Sequence, residues 1–120
     1  MTQENDEELA FQAALLAVSK KYEAKIPGLL DEVSKLRAEL QQMASDGFVV
    51  DDKFRETFEL LLKKSHAMAG SAGQFGHPEL TELARAVEEM CLSIMEAEFK
   101  NLDAFSLLFQ FVKTLEEYKF

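Results

Sequence analysis

Apolar residues recur every three or four positions along most of this chain, and nowhere do β-branched residues alternate over the length of a strand. That interval is the repeat of one helix face, so each segment carrying it has a stripe to bury against a neighbour. Only two prolines interrupt the 120 residues, and Ala, Leu, Glu, Lys and Gln fill the positions between stripes. The expectation is an all-α fold, a single domain over residues 1–120, long enough to bury a real core.

Five helices are expected. The first runs from about Asp6 to Lys25, with acids in its opening turn and Leu9, Ala13, Leu16 and Ala17 on one face. Pro27-Gly28 should break or kink it. Because proline is tolerated in a first turn, a second helix can begin there and carry Leu29, Leu30, Val33, Leu36, Leu40 and Met43 as far as Ser45-Asp46-Gly47. Asp51 or Asp52 caps a third, whose apolar positions are Phe54, Phe58, Leu61, Leu62, Met68, Ala69, Ala72 and Phe75, ending near Gly76. Pro78 and Glu79 open a fourth helix with Leu80, Leu83, Ala84, Val87, Cys91 and Ile94, and His77 reads as a surface residue at its start. Asn101 caps the fifth, striped by Leu102, Phe105, Leu108, Phe109, Val112 and Leu115. Short connections favour antiparallel neighbours in an up-and-down bundle. In the loop Phe48-Val49-Val50, Phe48 is expected to pack on the core.

Charge narrows the function classes. Thirteen basic residues against 22 acidic ones give a formal charge of −9, which repels phosphate backbones and anionic lipid. The strongest candidate for a basic cluster, Lys20-Lys21 with Lys25, shares its helix with Glu23 and lacks the interleaved aromatics that stack bases, so nucleic acid is not an expected partner. No apolar run approaches the ~20 residues of a bilayer span, and the acidic opening Met1-Thr2-Gln3-Glu4-Asn5-Asp6-Glu7-Glu8 is unlike a signal peptide. A lone cysteine, Cys91, rules out an intrachain disulfide and suits a reducing cytosol. A cytoplasmic, free-standing protein is the expectation.

The third helix contains a stretch stripped of bulk, His66-Ala67-Met68-Ala69-Gly70-Ser71-Ala72-Gly73-Gln74-Phe75-Gly76, which holds three of the chain's five glycines. A glycine inside a helix costs roughly 1 kcal/mol relative to alanine. Helical side chains lean toward the N-terminus, so residue 70 is the one whose side chain would drape over the ring of residue 66. Glycine leaves that ring bare. His66 sits roughly 100° round the helix from the centre of the apolar stripe, at its boundary, with Leu62, Lys63, Ala69, Gly70 and Gly73 on the same strip. Close helix packing is the competing explanation for small residues, but Gly70 projects away from the stripe and toward the histidine's flank.

These residues resemble the motif of histidine-containing phosphotransfer domains: His66, a hydrophobic residue at Met68, Gly70, a small residue at Ser71, then the hydrophobic-glycine pair Phe75-Gly76. The similarity continues through Pro78-Glu79-Leu80 and Ala84-Arg85-Ala86-Val87-Glu88 and covers essentially the whole chain. It implies an antiparallel four-helix bundle with an additional N-terminal helix, and a phosphocarrier role in a two-component phosphorelay. His66 would be the phosphorylated nucleophile, and Leu62, Lys63, Ala69, Gly70 and Gly73 the docking surface. The implied partners are response-regulator receiver domains and a hybrid sensor histidine kinase. No cofactor is implied for this chain; the magnesium ion belongs to the receiver. Many members have a basic residue three positions after the histidine, where this chain has Ala69, and Lys63 or Lys64 would substitute.

The residues themselves suit that chemistry. Neutral imidazole is a nucleophile near pH 7 without a base to activate it, because its ordinary pKa is about 6.5. No glycine-rich nucleotide loop is present, since Gly70-Ser71-Ala72-Gly73 follows helix and no Lys-Ser/Thr follows Gly76, so an autonomous kinase is not expected. His66, His77 and Cys91 are too few and too awkwardly spaced for a metal site. Glu59 and Lys63 stand at i, i+4 in the favourable order, either as a solvated pair or with Lys63 serving the phosphoryl group or an acidic receiver rim. The alternative function is a helical interaction module that docks a receiver or kinase without accepting phosphate.

Overall fold

The computed structural model describes residues 3–120, with side chains described from Asn5 onward. Met1, Thr2 and the side chains of Gln3 and Glu4 in the acidic opening lie outside the described residues. Among those described there is no strand: α1 spans Gln3–Ser45, α2 Asp52–Ser71, α3 Pro78–Glu96 and α4 Leu102–Glu116, with a 3-10 turn at Ala72–Phe75. Each helix packs on two others, α1 and α3 each against both α2 and α4, so that four helices enclose one core.

The break expected at Pro27-Gly28 does not occur. A single 43-residue α1 runs through Pro27 and replaces the two helices read from the sequence, so the additional N-terminal helix is the first half of α1. A proline inside a helix costs about 3 kcal/mol through its missing N–H and its clash with the preceding turn. Opposing that cost, Ile26, Leu30, Val33 and Leu40 form one unbroken buried stripe, which a change of direction at residue 27 would split. Pro27 and Gly28 both lie exposed on the outer side. Tyr22, one turn earlier, stacks on Phe75 with ring centroids 4.9 Å apart, and its hydroxyl lies 3.0 Å from Ser71 Oγ. Ser71 spends its own proton on the Ala67 carbonyl, so the tyrosine is the donor. Burial and these anchors keep the helix continuous through its proline.

The other boundaries follow the local chemistry. Asp51 caps α2 by accepting from the Phe54 N–H at 2.9 Å, and Asn101 caps α4 by accepting from the Ala104 N–H at 3.3 Å. After the 3-10 turn the chain reverses through Gly76 at φ +87°, with the His77 N–H on the Ala72 carbonyl and the Gly76 N–H on the Gly73 carbonyl. That double bond pattern needs a left-handed residue at its centre, which explains this glycine. Pro78 then occupies the first turn of α3.

His77 is buried, not a surface residue. Its Nε2 lies 3.1 Å from Glu23 Oε1, its Nδ1 lies 2.7 Å from the Tyr118 hydroxyl, and the Phe120 ring meets it edge-on. The imidazole thereby ties α1, the start of α3 and the segment after α4 together. Sequence reasoning missed this because both partners are remote in the chain.

Cys91 is fully buried on the α3 stripe, and burial, with a smaller contribution from the Glu88 charge, pushes its thiol up to about 12. It should therefore resist alkylation in the native state and react at once on unfolding. Because the folded value is raised, the protonated thiol stabilises the fold fully below the ordinary thiol pKa. That contribution is lost as pH rises from about 9 toward 12, at about 1.4 kcal/mol per pH unit. Urea melts of the parent and Cys91→Ala between pH 8 and 11 should show the steeper alkaline loss in the parent; parallel pH profiles would contradict it.

Candidate functional site

α2 is held by its buried face, on which Phe54, Phe58, Leu61, Ser65, Met68 and Ala69 point inward. The residue after Ser65 falls at the rim of that face. His66 accordingly projects from the helix with its side chain 76% exposed. Its Nδ1 is engaged by the Glu88 carboxylate from α3, whose side chain is only 17% exposed. Among the described residues no protein group engages Nε2.

The geometry assigns different parts to the two glycines that follow. A Cβ placed on Gly70 would meet nothing within 4 Å, so packing does not require glycine there, and the space beside the ring stays open. A Cβ on Gly73 would lie 3.2 Å from Thr81 Oγ1, so close approach to α3 accounts for that position. The competing explanation by helix packing therefore holds for Gly73 and fails for Gly70.

The remaining strip residues divide as well. Lys63, Gly70 and Gly73 are exposed, Leu62 is half-buried against the core, and Ala69 is buried, supporting the patch from beneath without adding accessible surface. The pair expected between Glu59 and Lys63 is not formed among the described residues. Lys64 instead reaches Glu32 on α1 at 2.8 Å, leaving Lys63 as the strip's uncommitted cation.

Glu88 is the site residue that sequence reasoning did not assign. A signal was present: it stands one position past Val87, at the edge of the α3 stripe, as His66 stands one position past Ser65 at the edge of its own. Two boundary positions on neighbouring helices are where an acid and an imidazole can meet. The pairing itself depends on how far α3 slides along α2, which no local pattern encodes.

Among the described residues no group of three or more His, Cys, Asp or Glu is arranged to hold a metal ion, and no helix is long and apolar enough to cross a membrane. Compared with family models, curated proteins and solved structures, the chain matches none.

Proposed function

We propose that the chain is a phosphocarrier of the histidine-phosphotransfer kind, taking a phosphoryl group onto His66 from a receiver-domain aspartyl phosphate and passing it to another receiver. The observation that carries this reading is a largely exposed imidazole with one nitrogen engaged by a largely buried carboxylate and open space on its flank. A carboxylate accepts and does not donate, so its partner Nδ1 bears the ring proton and the lone pair falls on Nε2, the solvent-facing nitrogen. Nε2 attacks the phosphorus; the N–P bond forms as the P–O bond to the receiver's aspartate breaks, and the electron pair leaves on that aspartate's oxygen. Positive charge developing on the ring is met by Glu88 through the Nδ1 proton. The reverse sequence delivers the group onward, and the receiver supplies its own magnesium and lysine.

The helices are read as an antiparallel up-and-down bundle on two contacts. His66 meets Glu88 and Gly73 faces Thr81, so seven residues forward along α2 and the 3-10 turn that continues it correspond to seven residues back on α3. Continuing that register sets Leu92, 47% exposed, beside Leu62, and sets Arg85 beside Ala69 and Gly70. The imidazole then stands between an apolar rim and a cation, with Lys63 on its own helix. That is a surface on which a receiver can dock its acidic site.

The test is incubation with a panel of receivers carrying labelled aspartyl phosphate. Acid-labile label on this chain supports the carrier reading; receiver binding with no label supports the interaction module and overturns it. Gly70→Leu sharpens the test, because its two readouts should move apart. Replacing a helical glycine on an open surface should leave the protein as stable or raise its stability by up to about 1 kcal/mol, while a leucine draped over the ring slows phosphoryl acceptance about tenfold. A stable variant with unchanged acceptance would contradict the access argument.

A further inference from the structure

From Asn5 to Val18 every residue of α1 is exposed, since the helix leaves the bundle beyond Ser19 and Tyr22. Its length, about 65 Å at 1.5 Å per residue, accounts for a molecule 68 Å long and only 24 Å wide. The free half is not polar: Leu9 and Leu16 are 53% and 57% exposed on one face, Phe11, Leu15 and Val18 are 46–67% exposed on the side that continues the core stripe, and Leu9–Val18 contains one polar residue, Gln12. Charge is sorted to either side of this segment, acids at Asp6, Glu7 and Glu8, lysines at Lys20, Lys21 and Lys25. None of these six belongs to an ion pair among the described residues. Glu23, the acid among the lysines, faces the buried His77.

The order along one strip decides what fits it. Asp6, Leu9, Ala10, Ala13, Leu16, Ala17 and Lys20 share a face about 120° wide, on the side of α1 roughly opposite the Ile26, Val33 and Leu40 stripe. Reversed end for end about Ala13, the strip maps onto itself. Asp6 falls on Lys20, Leu9 on Ala17, Ala10 on Leu16, and Ala13 on its own copy. Large side chains meet small ones, acids meet lysines, and the residue on the axis is small enough for two backbones to approach. A surface that complements its own reverse is what a two-fold interface requires. Because the strip faces away from the core stripe, two bundles on opposite sides of the seam do not collide.

We propose that the projecting half of α1 pairs antiparallel with the same segment of a second copy, forming a two-fold dimer centred on Ala13. With a seam only about 20 Å long, the dimer belongs to the weak class that dissociates on dilution.

Sedimentation equilibrium of the full chain over a concentration series should show reversible association to twice the monomer mass. Ala13→Glu sets like charges face to face on the axis and should weaken association about tenfold or more at unchanged helicity by circular dichroism. Asp6→Lys and Lys20→Asp should each weaken it, every reversal counting at two symmetry-related contacts, and the double variant should recover it. Ala13→Cys should form a disulfide-linked dimer under mild oxidation, since facing helices at 8–10 Å bring axial Cα atoms to about 5 Å. Cys91 does not compete, being buried. A monomer at all concentrations, no cross-linking at residue 13, or no recovery in the double variant would each overturn the proposal. So would co-sedimentation of a monomeric chain with phosphatidylserine vesicles through this segment.

Discussion

His66→Gln is expected to take up no label from a phosphorylated receiver, and Glu88→Ala to take it up about tenfold more slowly at unchanged receiver affinity. The first effect is complete because an amide nitrogen has no lone pair free for attack, while glutamine keeps much of the imidazole's volume on a surface already 76% exposed, so the fold is untouched. The second is partial because Glu88 does not touch phosphorus. It fixes which ring nitrogen bears the proton and meets the charge that builds on the ring. A hydrogen bond to a charged group is worth about 1.5–3 kcal/mol, and water reaching the exposed side of this pair reduces that to about 1.4, a factor of ten in rate. Glu88→Gln, which keeps an oxygen to accept from Nδ1 but loses the charge, should fall between alanine and the parent. Single-turnover rates against receiver concentration separate the capture rate from affinity. Label retained by His66→Gln would remove His66 from its proposed role. Alanine and parent rates that coincide would reduce Glu88 to a bystander.

What the sequence revealed and what it hid divide along one physical line. Caps, stripes and turn glycines are local: Asp51, Asn101, Pro78 and Gly76 stand where their own neighbours dictate, and most of the expected apolar positions of α2, α3 and α4 are buried, with Leu62, Phe75, Leu83 and Phe109 half-buried; Leu102 is the exception, 58% exposed in the first turn of α4. The exposed position of His66 was legible for the same reason, as a boundary position on a stripe whose period is fixed. Pro27 misled because its cost is local while the burial that outweighs it comes from α2 and α4 across the core. His77 and Glu88 escaped notice because each takes its meaning from a partner 22 or more residues away, Glu23 and Tyr118 for one and His66 for the other. Gly73 shows the mixture. Its smallness was evident, but only the position of Thr81 distinguishes clearance for a helix from clearance for a ring.

The largest loss of stability is expected from Phe58→Ala, at about 3–5 kcal/mol. Phe58 is fully buried, and its ring centroid lies 5.1 Å from that of Phe99, 6.1 Å from Phe105 and 6.4 Å from Phe54. Phe48, from the loop between α1 and α2, closes on Phe54 and Phe105, so this one cluster joins α2, α4 and both flanking loops. Phe99 enters it from a left-handed backbone at φ +61°, a conformation costing roughly 1–2 kcal/mol for a residue with a side chain, and the contacts of its ring offset that cost. Removing Phe58 therefore leaves a cavity and also weakens what holds Phe99 in place. Against a total stability of about 5–15 kcal/mol, the urea midpoint should fall by about a fifth or more at constant slope. Phe11→Ala, at a ring 67% exposed, should change the stability of the dilute monomer by less than about 0.5 kcal/mol. The two losses also separate stability from chemistry. Below its own melting range Phe58→Ala should still accept phosphoryl groups at the parent rate per folded molecule, because His66 and Glu88 meet on the outer surface of the α2 and α3 pair. A slowed rate in fully folded Phe58→Ala would instead mean that the aromatic cluster sets the register on which their meeting depends.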